Sequence, residues 1–244
     1  MRAITFHEEG DLSLWDTHSG KLIVKHELNL KTGQIGSACL APDGTRILTT
    51  LKDAPYSTSK VDTHSAQLWD ARTGRSLGVL QGHLDTLTAS AFSPDNKLIV
   101  TASVDNTAGI WDAETGKRIF ILEGHSTPIE DASFSPDSTR VLTKGSDQTA
   151  RVWDVRTGYL LATLQGHAEA LTSVEFSHDG NYVLTASKDG TAKIYDVRQP
   201  VLAEEYFDAA CGLLRYQPEF EQVRKYCEPL SKTVQPKKKT PAGF

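Results

Sequence analysis

The chain has 244 residues, 39% hydrophobic and 23% charged, with 26 basic against 31 acidic side chains and a net charge of −5. That balance suits a globular protein, and its mild acidity argues against sequence-independent nucleic-acid binding, which needs a basic face. No run of 18 apolar residues offers a membrane-spanning helix, acids occupy the apolar stretch a signal peptide needs, and three cysteines (Cys39, Cys211, Cys227) are too few for a disulfide scaffold, so no membrane association and a cytoplasmic setting are expected.

In chain order, the first landmark is Trp15, followed by Asp16-Thr-His-Ser-Gly20, a turn whose last residue can take positive φ at no steric cost. The same ending recurs after Trp69 as Asp70-Ala-Arg-Thr-Gly74 and after Trp153 as Asp154-Val-Arg-Thr-Gly158. Trp15 and Trp69 lie 54 residues apart, 12 more than the later spacing. Aligning Pro42-Asp43 with Pro94-Asp95 sets Thr49 on Thr101 and Asp53 on Asp105, so that Ala54–Thr63 forms an insertion between a second and a third strand. Lys31 stands where His83 would align.

Residues 83–125 make the type unit. Leu87–Phe92 alternates as a first strand and ends in Ser93-Pro-Asp-Asn96; Lys97–Ala102 is apolar enough for a central strand. Asp105-Asn106 makes the next turn, Thr107–Trp111 is the third strand, and Lys117–Leu122 is the fourth. Two further units follow without a gap. Trp69, Trp111, Trp153 and Tyr195 keep a spacing of 42 residues, each followed by Asp. Gly82-His83, Gly124-His125 and Gly166-His167 keep it too, as do Thr101, Thr143, Thr185 and Asp105, Asp147, Asp189.

A period of 40 to 45 residues with Gly-His and Trp-Asp signatures marks a propeller of four-stranded blades. Over residues 1–198 the sequence resembles the WD-repeat family. The resemblance implies an all-β fold, a WD-repeat β-propeller of about four and a half blades, with a short helical C-terminal tail. It also implies hydrogen-bonded networks inside the blades, formed by His83, Thr101, Asp105 and Trp111, by His125, Thr143, Asp147 and Trp153, and by His167, Thr185, Asp189 and Tyr195. Aspartate only accepts, indole only donates, and imidazole and hydroxyl do both, so the chemistry closes. His, Asp and hydroxyl also suit a hydrolase, but a catalytic site needs one copy with an oxyanion pocket, not one per blade. A structural role is therefore expected and no enzymatic activity. One histidine per blade, without Cys-x-x-Cys or His-x-x-x-His, speaks against a metal, and no cofactor is expected.

The resemblance places partner contacts on the face bearing the loops after Gly-His. The corresponding positions are Thr86, Thr88 and Val104; Pro128, Glu130 and Ser146; Ala170, Thr172 and Lys188; and, in the irregular blade, Gln34, Gly36 and Lys52. Tyr56 in the insertion is the one aromatic expected there. Solvated loop residues would look the same, and the set holds no aromatic or basic cluster.

After residue 198 the period stops. Leu202–Tyr216 and Glu219–Tyr226 read as helices of a tail over 199–230, similar to tails that follow bacterial WD-repeat arrays, and 231–244 as a disordered end. Counting strands leaves the first and last blades one short, so the chain is expected either to be the C-terminal piece of a longer protein and larger ring or to assemble with other copies; the former is favoured. Open blade edges then predict self-association. The function expected is a non-catalytic WD-repeat scaffold for protein-protein or peptide binding. The alternative is the C-terminal sensor or regulatory part of a larger bacterial signalling protein, a nucleotide-binding switch ATPase or a kinase. No Gly-x-x-x-x-Gly-Lys-Ser/Thr loop occurs in these residues.

Overall fold

In the computed structural model, residues 2–6, 11–27, 34–52 and 64–198 are described. They form eighteen strands in five antiparallel sheets, each built from consecutive strands. The first sheet holds β1 (Arg2–Phe6), β2 (Asp11–Asp16) and β3 (Leu22–Glu27). The second holds β4 (Gln34–Leu40), β5 (Arg46–Lys52), β6 (Ala66–Asp70) and β7 (Ser76–Leu80). The third comprises β8 (Leu87–Phe92), β9 (Leu98–Ser103), β10 (Ala108–Asp112) and β11 (Arg118–Leu122). The fourth runs through β12 (Ile129–Phe134), β13 (Arg140–Gly145), β14 (Ala150–Asp154) and β15 (Leu160–Leu164), and the fifth through β16 (Leu171–Phe176), β17 (Tyr182–Ser187) and β18 (Ala192–Asp196). This all-β succession of blade-like sheets is the architecture the 42-residue period implies. The insertion with Tyr56, Lys31, Asp53 and the tail helices lie outside the described residues.

Turn chemistry delimits the strands. Asp70 Oδ1 accepts the Thr73 amide and hydroxyl, both at 2.7 Å, while Gly74 at φ +68° donates its amide to the Asp70 carbonyl at 2.8 Å. Asp16, Asp112 and Asp154 cap their turns likewise through Ser19, Thr115 and Thr157. This is an Asx-type turn, in which the carboxylate replaces a backbone acceptor.

The central strands of the second, third and fourth sheets are largely apolar on both faces because each of these sheets lies between two others. Four buried clusters lie between successive sheets, and each holds the aromatic residue of the later one. Trp69 meets Leu12 and Leu14, Trp111 meets Leu48 and Leu68, Trp153 meets Val100 and Ile110, and Tyr195 meets Leu142 and Val152. Polar ties reinforce these apolar joints. Arg46 donates to the carbonyls of Ala113 (2.6 Å) and Asn96 (2.7 Å) in the next sheet, with its guanidinium 5.8 Å from the Phe92 ring centroid. Arg140 repeats this with Val197 (2.7 Å), Gly180 (2.6 Å) and Phe176 (5.5 Å), and Arg2 donates to Gly44 (2.8 Å).

Candidate functional site

The repeated polar residues meet between the second and third strands of a sheet. Trp111 on β10 donates its indole N–H to Thr101 Oγ1 on β9 at 2.8 Å. Thr101 Oγ1 lies 2.8 Å from His83 Nε2, and His83 Nδ1 lies 2.9 Å from Asp105 Oδ2. Indole only donates and carboxylate only accepts, so the donors run one way: Trp111 to Thr101, Thr101 to His83, and His83 through Nδ1–H to Asp105. The carboxylate also accepts the Leu84 amide (2.8 Å), the Thr107 amide (2.9 Å) and the Thr107 hydroxyl (2.7 Å). Burial alone would raise the Asp105 carboxyl, but the bonds from Thr107, Leu84 and His83 together lower it to about 2. Burial lowers His83 and outweighs the pull of Asp105, which keeps the ring neutral.

The next sheet repeats the set: Trp153 to Thr143 (2.9 Å), Thr143 to His125 (2.9 Å) and His125 to Asp147 (2.9 Å). Burial again lowers His125, and Thr149 and His125 lower Asp147 against its own burial. The fifth sheet differs. His167 still bridges Thr185 (2.9 Å) and Asp189 (2.9 Å), but the Tyr195 hydroxyl donates to the Gln165 carbonyl at 3.0 Å instead of reaching Thr185. A phenol carries its polar atom at the far end of the ring, beyond the point where an indole N–H sits. In the second sheet Trp69 still donates to Thr49 (2.9 Å), and in the first Trp15 donates to Thr5 (2.9 Å).

Chemically, these sets hold strands together through paired, buried groups. The Thr101 and Thr143 hydroxyls are fully buried and occupied at both ends, so neither is available as a nucleophile. Among the described residues no three His, Cys, Asp or Glu side chains gather as a metal site.

The positions assigned to a partner face converge by a different route. In every second-to-fifth sheet the first strand carries a register shift, and the residue dropped from the ladder is Gly36, Thr88, Glu130 or Thr172. A β-bulge of this kind leaves one residue unpaired and re-aims it. Beside the bulges, the amides of Val104, Ser146 and Lys188 donate to the carbonyls of Thr86 (2.9 Å), Pro128 (3.0 Å) and Ala170 (2.9 Å). The third, fourth and fifth sheets thus each clip two of their predicted loop positions together. Gln34 and Lys52 pair across β4 and β5; Tyr56 lies outside the described residues.

Neighbouring blades share this rim. Thr88 donates to the Ile129 carbonyl at 2.6 Å. Exposed Glu130 accepts from Ser146 (2.5 Å) and pairs with Lys144 (3.1 Å), whose ammonium also reaches the Thr172 carbonyl (3.4 Å). Those contacts, Ser146 first, lower the Glu130 carboxyl. Two rim residues escaped the sequence reading. Leu84, next to His83, is 84% exposed, although Ser126 and Ala168 hold the equivalent places; Lys144 replaces the alanine of Ala102 and Ala186. Each breaks the period, which is the signal that could have found them.

The family described as WD domain, G-beta repeat (WD40) matches residues 74–112, 116–154 and 158–196. A Danio rerio protein described as WD repeat and SOCS box-containing protein 1 is 34% identical over 93 residues, covering 37% of this chain. The match spans 19% of that relative's length.

Proposed function

The chain belongs to the WD-repeat family, and from that premise we propose that it is a non-catalytic scaffold binding a protein or peptide partner through the bulged rim. The observation that carries this reading is the repeated bulge at Thr88, Glu130 and Thr172. In these three sheets the first strand drops one side chain from its ladder at the equivalent position of the repeat, an arrangement that suits recognition better than chemistry. Around them stand an apolar anchor, Leu84, and a charge-paired cluster, Glu130 with Lys144 and Ser146. Such a mixture of exposed apolar and oriented polar groups fits an extended peptide or a loop carrying both.

The test is quantitative capture by the full chain, followed by titration of each captured partner against two variants. Leu84→Ala with Lys188→Glu should weaken binding tenfold or more, because both positions lie on the rim and neither is buried. Lys117→Glu on the opposite turn should leave it unchanged. Partners that bind both variants equally well would sink the rim as the binding surface.

A further inference from the structure

Each of the first four sheets offers its successor one apolar face, made of one residue and two residues of the strand that follows, on the second and third strands of the four-stranded sheets and on β1 and β2 of the first. These are Ile4 with Leu12 and Leu14, Leu48 with Ala66 and Leu68, Val100 with Ala108 and Ile110, and Leu142 with Ala150 and Val152. The successor answers with a β-branched residue and the repeat aromatic: Ile47 with Trp69, Ile99 with Trp111, Val141 with Trp153, and Val183 with Tyr195. All four buried clusters are copies of this one joint.

At the two ends the pattern continues without a cover among the described residues. Leu184 is 47% and Ile194 72% exposed, with exposed Ala192 between them, where the internal counterparts are 1% or less, Ile4 apart. At the other end Ala3 is exposed and Trp15 half-buried, where Trp69, Trp111 and Trp153 are at most 7% exposed. We propose that the Leu184–Ala192–Ile194 face of one chain docks on the Ala3–Trp15 face of a second copy, making a fifth joint of the same kind.

The internal joints say what covers such a face. Leu184 and Ile194 present the same branched side chains as Leu142 and Val152, which pack against an aromatic residue of the next sheet. Trp15 is already held for that role: its indole donates to Thr5 at 2.9 Å, as that of Trp69 does to Thr49 at 2.9 Å. Tyr182 stands where Arg46 and Arg140 tie other joints, but Leu98 stands there too and its joint forms without an arginine. Exposed apolar faces of this kind mark interaction surfaces.

The two faces are different, so the contact is heterologous and each dimer keeps one free face of each kind. Two copies supply ten sheets, more than the four to eight blades of a closed propeller, so addition does not stop at two. This docking of faces is distinct from pairing of strand edges, and it does not depend on the rim's role as a partner site.

Sedimentation velocity and light scattering on the 244-residue chain test it. The mean mass should rise with concentration beyond a dimer. Leu184→Asp with Ile194→Asp should reduce it to a monomer, and Ala3→Arg should do the same from the other side, both with unchanged circular dichroism. An equimolar mixture of the two variants retains one good face of each kind, so it should form a dimer and stop there. A wild-type chain that stays monomeric, because another segment or its own residues 200–244 cover the face, overturns the proposal. So does assembly that survives either variant, or a mixture that remains monomeric.

Discussion

Replacing Thr101 by valine removes one hydroxyl and almost no volume, and the cost can be worked from the hydrogen bonds that end there. The Thr101 hydroxyl is fully buried, accepts from Trp111 and donates to His83. Valine therefore leaves two buried polar groups unpaired, and each unpaired group costs about 1–3 kcal/mol. Thr101→Val should destabilise by about 2–6 kcal/mol, and Thr143→Val, with the same two bonds, by a similar amount. Thr185→Val strands only His167, since Tyr195 bonds Gln165 instead, and should cost about 1–3 kcal/mol. Thr5→Val touches an exposed bond to Trp15 and should cost under about 0.5 kcal/mol. Urea unfolding, with amide exchange around each site to separate local from global opening, measures the series. Equal losses at Thr101, Thr143 and Thr185, or the largest at Thr185, would refute the reasoning.

Stability should fall on acidification in two stages. His83 and His125 have lowered folded pKa values, so the unfolded chain takes up their protons first, beginning near the ordinary histidine value of about 6.5. Asp105 has a folded pKa of about 2 against 3.8, so its contribution holds above pH 3.8 and disappears towards pH 2; Asp105→Asn should flatten that lower limb in denaturant titrations at each pH. Arg140→Met keeps the stem over Phe176 but loses two bonds to the fifth sheet, and should speed amide exchange at Val183 and Thr185 about tenfold without altering Ile99. In the unmodified chain, exchange at Thr185 should exceed that at Thr101 and Thr143, because its sheet has three strands and an incomplete network; slower exchange there would contradict this.

Sequence reading reached the strands of the type unit to within a residue at each end, the closing turns and the His, Thr, Asp and Trp sets because all of these obey one period. It found less where the period breaks or where the decisive fact is a direction in space. Arg46 and Arg140 share a position with Leu98 and Tyr182, so strict periodicity averages the inter-sheet arginines away. Thr107, Thr149 and Thr191 do keep the period, and each donates to the network aspartate; their spacing was readable, but a short hydroxyl two residues past an aspartate reads as ordinary turn chemistry. The bulges at Thr88, Glu130 and Thr172 leave no distinctive compositional mark, since the residue dropped from the ladder is an ordinary threonine in two sheets and a glutamate in the third. The order of exposure along the third strands is equally silent in sequence: Ile110 and Ile194 are the same residue type, and only what lies beyond the sheet separates them.

Because every sheet is made of consecutive strands, no strand pairing among the described residues crosses from one repeat unit to another. A unit can therefore be cut out or duplicated as a cassette without disturbing the ladders on either side. Removing residues 83–124 would bring Leu48 and Leu68 against Val141 and Trp153, the same side-chain classes that meet at each natural joint. The chain thus inherits a length that is adjustable in whole units, whereas any change smaller than a unit falls within a single sheet and must be accommodated there.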